Sequence, residues 1–85
     1  MINLADQASR VTSRDDLYEF VLALAESFRT EQDTWENVTV YDYLQGLAGW
    51  VHDYEGAYQN WGEEPPRQPT WQLIARLLLA ATIYS

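Results

Sequence analysis

The sequence predicts an all-α protein, a small single-domain bundle of three main helices. Three segments carry apolar residues at helical spacing, and no stretch alternates apolar and polar residues for long enough to indicate a β-sheet. The chain has 85 residues, of which 47% are hydrophobic, and it contains four tryptophans. A chain of this length and composition forms one small hydrophobic core. We therefore expect residues 1–85 to form a single helical domain.

The first predicted helix begins after Ser13. Ser13 and Asp16 have the spacing of a capping pair, with a hydroxyl at the N-cap and a carboxylate three residues later. Residues 1–12 have no strong periodicity, so we expect a loosely attached N-terminal arm, while residues 31–38 are polar apart from Trp35 and predict a loop. The apolar stripe of the helix, which fades near Arg29, consists of Leu17, Phe20, Val21, Leu24 and Phe28.

The second predicted helix begins after Thr39, with Asp42 in the same capping position. Its end is left open by the sequence, because either Gly56 or Asn60 fits a helix terminus. One broad arc of this helix is apolar and aromatic, and we expect it to face the core. Its members are Val40, Tyr43, Leu44, Leu47, Trp50, Val51, Tyr54 and Tyr58.

Three glycines lie on the opposite, polar arc of the second helix. A glycine inside a helix costs about 0.5–1 kcal/mol relative to alanine, so each one requires a reason. Two explanations remain open at this stage: another backbone approaches the helix closely, or the helix is weak and ends at the last of these glycines. The three residues are Gly46, Gly49 and Gly56.

The third predicted helix follows a proline-rich connector. Residues 61–70 contain all three prolines and Gly62, so this segment is extended and lies within the domain. Thr70 then caps a helix that runs from Trp71 to about Tyr84 and is apolar almost all round. A helix of this kind is buried, either as the central helix or under a second copy of the chain. A homodimer through this C-terminal helix is therefore one possible assembly.

The charge balance narrows the kinds of partner. Thirteen acidic residues stand against five basic ones, all arginine, which gives a formal net charge of −8. So negative a chain is unsuited to binding nucleic acid directly or to docking on anionic membranes. The most apolar segment, residues 73–84, is too short to span a bilayer, and the first residues lack the pattern of a signal peptide. We therefore expect a cytoplasmic location and no membrane partner.

No residue pattern in the chain indicates an enzyme. His52, the single histidine, lies on a polar helix face without a second histidine or a cysteine, which is typical of a surface residue and not of a metal ligand. The carboxylates have the distribution of solvated faces, and there is no phosphate-binding glycine loop, lysine or cysteine. We expect no catalytic residues, no cofactor and no metal.

Aromatic residues beside acidic ones point to a binding surface. Core filling explains most of the tryptophans and tyrosines, but Trp61 stands between Asn60 and Gly62 beside the acidic connector, and such residues are preferred interface anchors. The predicted function is a non-enzymatic, acidic protein-binding module, an immunity-type or antitoxin-type inhibitor of a basic, nuclease-like protein. The predicted partner-binding residues are Glu55, Tyr58, Trp61, Glu63 and Glu64.

Two alternative functions remain open. The first is a DNA-mimicking inhibitor of a host defence nuclease, encoded by a phage or another mobile element. The second is a homodimeric domain that binds a small ligand or catalyses a reaction of unknown chemistry, for which a deep apolar pocket lined by tyrosine and tryptophan, with a buried carboxylate, would be the signature.

Three motifs resemble those of a known family. The segments Trp35-Glu36-Asn37, Leu44-x-x-Leu47-x-x-Trp50 and Pro69-Thr70-Trp71, followed by Ala80-Ala81-x-Ile83-Tyr84, are similar to a family of short bacterial proteins catalogued as a domain of unknown function. The similarity extends from about Ser13 to the last residue, where Ser85 replaces the acidic residue that the family pattern leads us to expect. The resemblance implies a small helical domain and transfers no catalytic residue.

Overall fold

The protein is all-α, as predicted. A computed structural model describes residues 3–84, so expectations that concern residues 1, 2 and 85 lie outside the described part of the chain. Within residues 3–84 there is no β-strand. The four helices are α1 (Leu4–Ser9), α2 (Arg14–Thr30), α3 (Val40–Trp61) and α4 (Trp71–Ala80), and a 3₁₀ turn spans Gln32–Thr34.

Side-chain caps start all four helices. Ser13, Thr39 and Thr70 each accept a hydrogen bond from the backbone N–H three residues further on, at 3.0–3.1 Å. These are the three predicted caps, and the structure confirms them. Asn3 does the same for α1, which the sequence analysis did not predict.

The end of α3 lies beyond both positions that the sequence left open. Gly62 adopts the left-handed conformation, with φ at 73°, and its N–H donates to the carbonyl of Gln59. The N–H of Glu63 reaches back to the carbonyl of Tyr58 at 2.9 Å. This pairing is the usual glycine-based helix stop, and it holds the start of the connector against the last turn of α3.

Helix α4 lies at the centre of the bundle. Its backbone lies close to α1, α2 and α3, whereas the backbones of α2 and α3 stay apart and Trp35 bridges them, between Phe28 of α2 and Tyr43 of α3. Ala75 is buried in a core cluster that α4 shares with α1 and α2. Leu73 is buried in a separate cluster that α4 shares with α3. The apolar surface that suggested a dimer through this helix is thus largely covered by the chain itself.

The N-terminal arm differs from its prediction over its described part. Residues 3–12 include α1, and Ala8 and Val11 are buried against Phe20 of α2. The side-chain amide of Gln72 also donates to the carbonyl of Ser9 at 2.8 Å, which ties the end of α1 to α4. This segment is therefore packed and not loosely attached. Helix α1 has 6 residues, too few to show a helical period in the sequence, so this helix becomes evident only from its tertiary packing.

A clasp joins the loop before α3 to the segment that follows α4. The backbone N–H groups of Glu36 and Asn37 both donate to the carbonyl of Thr82, at 3.0 and 2.9 Å. The Asn37 side-chain amide donates to the carbonyls of Ala81 and Tyr84, each at 2.8 Å. The carbonyls of Ala81, Thr82 and Tyr84 all accept hydrogen bonds from this loop. Helix α4 therefore ends at Ala80, whereas the sequence predicted an end near Tyr84. We call residues 36–37 and 81–84 the clasp.

The clasp explains two of the three glycines. A Cβ on Gly46 would lie 2.7 Å from the Tyr84 carbonyl oxygen and 2.8 Å from that of Ala81. A Cβ on Gly49 would lie 3.1 Å from the Tyr84 ring, whereas one on Gly56 would have no neighbour within 4 Å. Close backbone approach is confirmed for Gly46. The polar arc of α3 is thus covered by the clasp over part of its length, although it was predicted to face outwards.

Candidate functional site

The structure divides the predicted partner-binding patch. Tyr58, Trp61 and Glu63 come together around Arg76, whereas Glu55 and Glu64 are exposed and outside that group. Tyr58 is only 2% exposed, because it lies on the inner face of α3 in the cluster of Trp50 and Leu73. Its side chain cannot touch a partner, so its place in the predicted patch was wrong. Trp61 is 49% exposed and remains available as an anchor.

Arg76 is the centre of this group. Its guanidinium carbon lies 4.7 Å from the ring centre of Trp61 and 5.2 Å from that of Tyr58, within the range of cation–π attraction. Its Nη1 donates to Glu63 at 3.2 Å and, more weakly, to Gln72 at 3.4 Å. The side chain is 13% exposed. One signal of this residue is visible in the sequence, an arginine in an otherwise apolar helix, but its partners could not be predicted.

A cavity of about 850 Å³ opens beside Arg76. Arg76, Glu63 and Glu31 are the charged groups that line it. Most of the remaining wall is apolar and comes from three helices and the turn after α4: Leu4, Ala5, Ala8, Trp50, Trp61, Leu79, Ala80 and Ile83.

The aromatic side chains of α3 form a continuous row next to this cavity. Trp50, Tyr54 and Tyr58 follow one another at one-turn spacing, with ring centres 6.2 and 6.0 Å apart. Trp61 closes the row, 5.2 Å from Tyr58 and 6.3 Å from Trp50. Rings at these separations attract one another beyond their simple burial. The row explains why α3 is rich in tyrosine and tryptophan, as the core-filling interpretation expected.

A second surface lies on the outer face of α3. Val40, Leu44 and Val51 belong to the arc that was predicted to be buried, yet 78%, 54% and 50% of their surface is exposed. The prediction fails here because the backbone of α2 does not approach α3, and Phe28 of α2 comes near this side of the helix only at its start. We define the α3 outer face as Val40, Tyr41, Leu44, Val51 and Glu55, all of which are exposed.

A small groove borders the start of the α3 outer face. It has a volume of about 280 Å³ and is lined by Phe28 of α2, Trp35 and the first turn of α3. Trp35 forms its firm wall, since its ring is stacked on Tyr43 at 5.9 Å and meets Phe28 edge-on at 5.0 Å. The groove and the outer face together form an apolar surface open to solvent.

Carboxylates are exposed over the whole molecule. All thirteen belong to residues 3–84, and each is in an exposed residue. Within this part of the chain three of them pair with an arginine: Asp6, Glu26 and Glu63. The other ten have no arginine partner there, so the negative charge is largely uncompensated at the surface.

His52 belongs to a surface network. Its Nδ1 lies 2.6 Å from Asp53 Oδ1, and the Tyr84 hydroxyl donates to Asp53 Oδ2 at 2.5 Å. The Tyr84 hydrogen bond, helped by His52, lowers the pKa of Asp53, and the same bond raises the pKa of Tyr84. His52 is solvent-exposed, and within residues 3–84 no three histidine or carboxylate side chains form a metal-ligating group.

Comparison with known proteins places the chain in a family. The model of DUF7660, a family of unknown function, matches residues 13–85. The chain belongs to this family. The DUF7660 match begins at the N-cap of α2, so it covers α2, α3, α4 and the clasp and leaves out α1. No curated protein and no solved structure shows significant similarity to the chain.

The motif segments singled out in the sequence have structural roles in this chain. Trp35 packs in the aromatic wall, Asn37 and residues 81–84 form the clasp, and Thr70 caps α4. Such roles stabilise a fold and do not define a reaction. Among residues 3–84, no helix combines the length and the hydrophobicity that a membrane crossing requires.

Proposed function

We propose that this chain is a non-enzymatic, acidic protein-binding module, an immunity-type or antitoxin-type inhibitor of a basic, nuclease-like protein. One observation carries the proposal: an exposed apolar face lies within a surface of largely unpaired carboxylates. The α3 outer face supplies the apolar part, and Glu55 lies one turn beyond Val51 on the same side of the helix.

This combination suits a basic partner. Uncompensated carboxylates attract a positive surface from a distance and raise the association rate, an effect that weakens as salt screens the charges. Apolar side chains at the centre of the contact then supply most of the binding free energy. Val40, Leu44 and Val51 recur at helical spacing, so one flat contact can cover all three. A groove beside them can accept a side chain of the partner.

A pair of matched variants tests the proposed face. Leu44 on α3 and Leu22 on α2 are exposed to a similar extent, 54% and 49%. Leu44→Asp and Leu22→Asp therefore add the same charge to the same residue type on different helices. The wild-type chain, tagged and used to capture a partner from its native host, should retain a basic protein in stoichiometric amount.

The expected result is that Leu22→Asp retains this partner and Leu44→Asp loses it. Glu55→Gln should slow association with the partner at low salt. Glu19→Gln, a change at an exposed residue of α2, is the control and should alter the association rate only through the general loss of one negative charge. Loss of the partner in Leu22→Asp alone, or an acidic partner, contradicts the proposal. The identity of the partner separates an immunity-type inhibitor from a DNA mimic that blocks a host defence nuclease.

A further inference from the structure

The cavity beside Arg76 has features that a protein-binding face does not require. We propose that it binds a small organic monocarboxylate with an apolar or aromatic body, and that Arg76 holds the carboxylate. This inference is independent of the proposed function, because the cavity and the α3 outer face share no residue.

The size and the lining of the cavity fit a small molecule. Sites for small ligands have volumes of about 300–1,000 Å³, with apolar walls and a few polar groups that set the orientation. Here the volume is about 850 Å³, and Leu4, Leu79, Ile83 and Trp61 are among the wall residues. Three helices meet at this place, so the wall is held by the fold and not by a single loop.

Arg76 supplies the polar contact. Its two hydrogen bonds to residues of the chain, with Glu63 and Gln72, both use Nη1. Nε and Nη2 form the other edge of the guanidinium, and neither of these two hydrogen bonds uses it. An arginine edge of two parallel N–H donors matches the two oxygens of a carboxylate. The rings of Tyr58 and Trp61 fix the plane of the guanidinium, so this edge is held in place.

The charges around the cavity select the ligand further. Glu31 and Glu63 attract a cation while Arg76 repels it, but a cation supplies no acceptor for the arginine N–H groups. An apolar alcohol would cover the N–H edge while supplying at most one acceptor. Glu63 and Glu31 also line the cavity, and they would repel a phosphate or a dicarboxylate more strongly than a single carboxylate. A monocarboxylate satisfies the arginine with the least repulsion from these two groups.

Three probes with the same body test the inference. Phenylpropionate, phenylpropanol and phenylpropylamine differ only in their polar group, and octanoate gives a second acid with another body. Binding is measured by calorimetry and by tryptophan fluorescence, since Trp50 and Trp61 line the cavity. We expect at least one of the two acids to bind, and phenylpropanol and phenylpropylamine to bind about tenfold more weakly than phenylpropionate or not at all.

Variants locate the binding in the cavity. Ala5→Trp fills it from an exposed position on α1 and should weaken acid binding about tenfold or more, while Arg76→Gln should abolish the preference for acid over alcohol. Arg67→Gln, an exposed arginine outside the cavity, is the matched control and should bind like wild type. If Arg76→Gln loses its helical circular dichroism signal, that variant is unfolded, and acid binding by Ala5→Trp decides whether the ligand occupies the cavity.

Three results overturn the inference: neither acid binds the folded wild type at millimolar concentration, acid and alcohol bind equally, or Ala5→Trp binds as the wild type does. The Leu44→Asp variant should keep full acid affinity. Failure of the cavity proposal is thereby distinguishable from failure of the protein-binding proposal.

Discussion

Alanine at Gly46 should destabilise the protein, although alanine is the better helix former. Gly46 faces the clasp, and an added Cβ would lie 2.7 Å from the Asn37 side-chain nitrogen and 2.7 Å from the Tyr84 carbonyl oxygen. Ordinary contacts are several tenths of an ångström longer, and a backbone carbonyl cannot swing aside as a side chain can. The clasp must therefore move away from α3 as a unit.

The size of the effect follows from three contributions. Helix propensity favours alanine by about 1 kcal/mol. Overpacking costs about 1–3 kcal/mol, and the displaced Asn37 amide weakens two hydrogen bonds worth about 0.5–1.5 kcal/mol each. The net loss is then about 1–5 kcal/mol of the free energy of unfolding. In a domain of this size each kcal/mol lost lowers Tm by about 4–8 °C.

Urea unfolding followed by circular dichroism measures the effect, with two alanine variants as internal controls. Gly56 has no neighbour within 4 Å, so Gly56→Ala should raise stability by about 0.5–1 kcal/mol. Gly49→Ala meets only the Tyr84 ring, which can yield, and should be close to neutral. If Gly46→Ala is as stable as Gly56→Ala, the close approach of the clasp is refuted.

Three further predictions concern single side-chain groups. Asn37→Ala should cost about 1–3 kcal/mol in urea unfolding, because two carbonyls of the clasp lose their donor; a loss below about 0.5 kcal/mol would refute the role of the amide. The buried hydroxyl of Tyr58 has no hydrogen-bond partner within residues 3–84, so Tyr58→Phe should leave stability unchanged or raise it, and a loss above about 1 kcal/mol would reveal a partner. Tyr84→Phe should raise the pKa of Asp53 toward its ordinary value, as followed by carbon NMR of the carboxyl group during a pH titration. Because the pKa of Asp53 is lower in the folded state than in the unfolded state, this carboxylate stabilises the fold above its unfolded-state pKa. That contribution is lost as the pH falls through the folded-state pKa. An unchanged pKa of Asp53 in Tyr84→Phe would contradict this account.

Sequence reasoning succeeded where local interactions decide the structure. The caps at Ser13, Thr39 and Thr70 act through residues three positions away, so the helix starts could be predicted from short windows. The stop at Gly62 is also local, but Gly56 and Asn60 were the predicted ends of α3, and the left-handed conformation of Gly62 sets the end beyond both.

Long-range packing accounts for what the sequence did not predict. Periodicity shows that α3 has an apolar side. Which part of that side is covered depends on how closely α2 packs against α3. Val40, Leu44 and Val51 remain exposed because the backbone of α2 does not approach α3. Glu63 and Arg76 meet from opposite ends of the connector, and no spacing rule links them. Trp61 was recognised from its acidic surroundings, whereas the cavity beside it arises from helices far apart in the chain.

The central position of α4 has a consequence for the folding kinetics. The helix that joins α1, α2 and α3 comes last in the described chain, and the backbones of α2 and α3 stay apart. The contacts of α4 with α1 and α2 join residues far apart in the chain, and closing such long loops slows folding relative to a bundle in which only sequential neighbours pack. During synthesis the residues before 71 lack Leu73 and Ala75, the α4 members of the two core clusters. Both clusters are therefore completed only after α4 has left the ribosome.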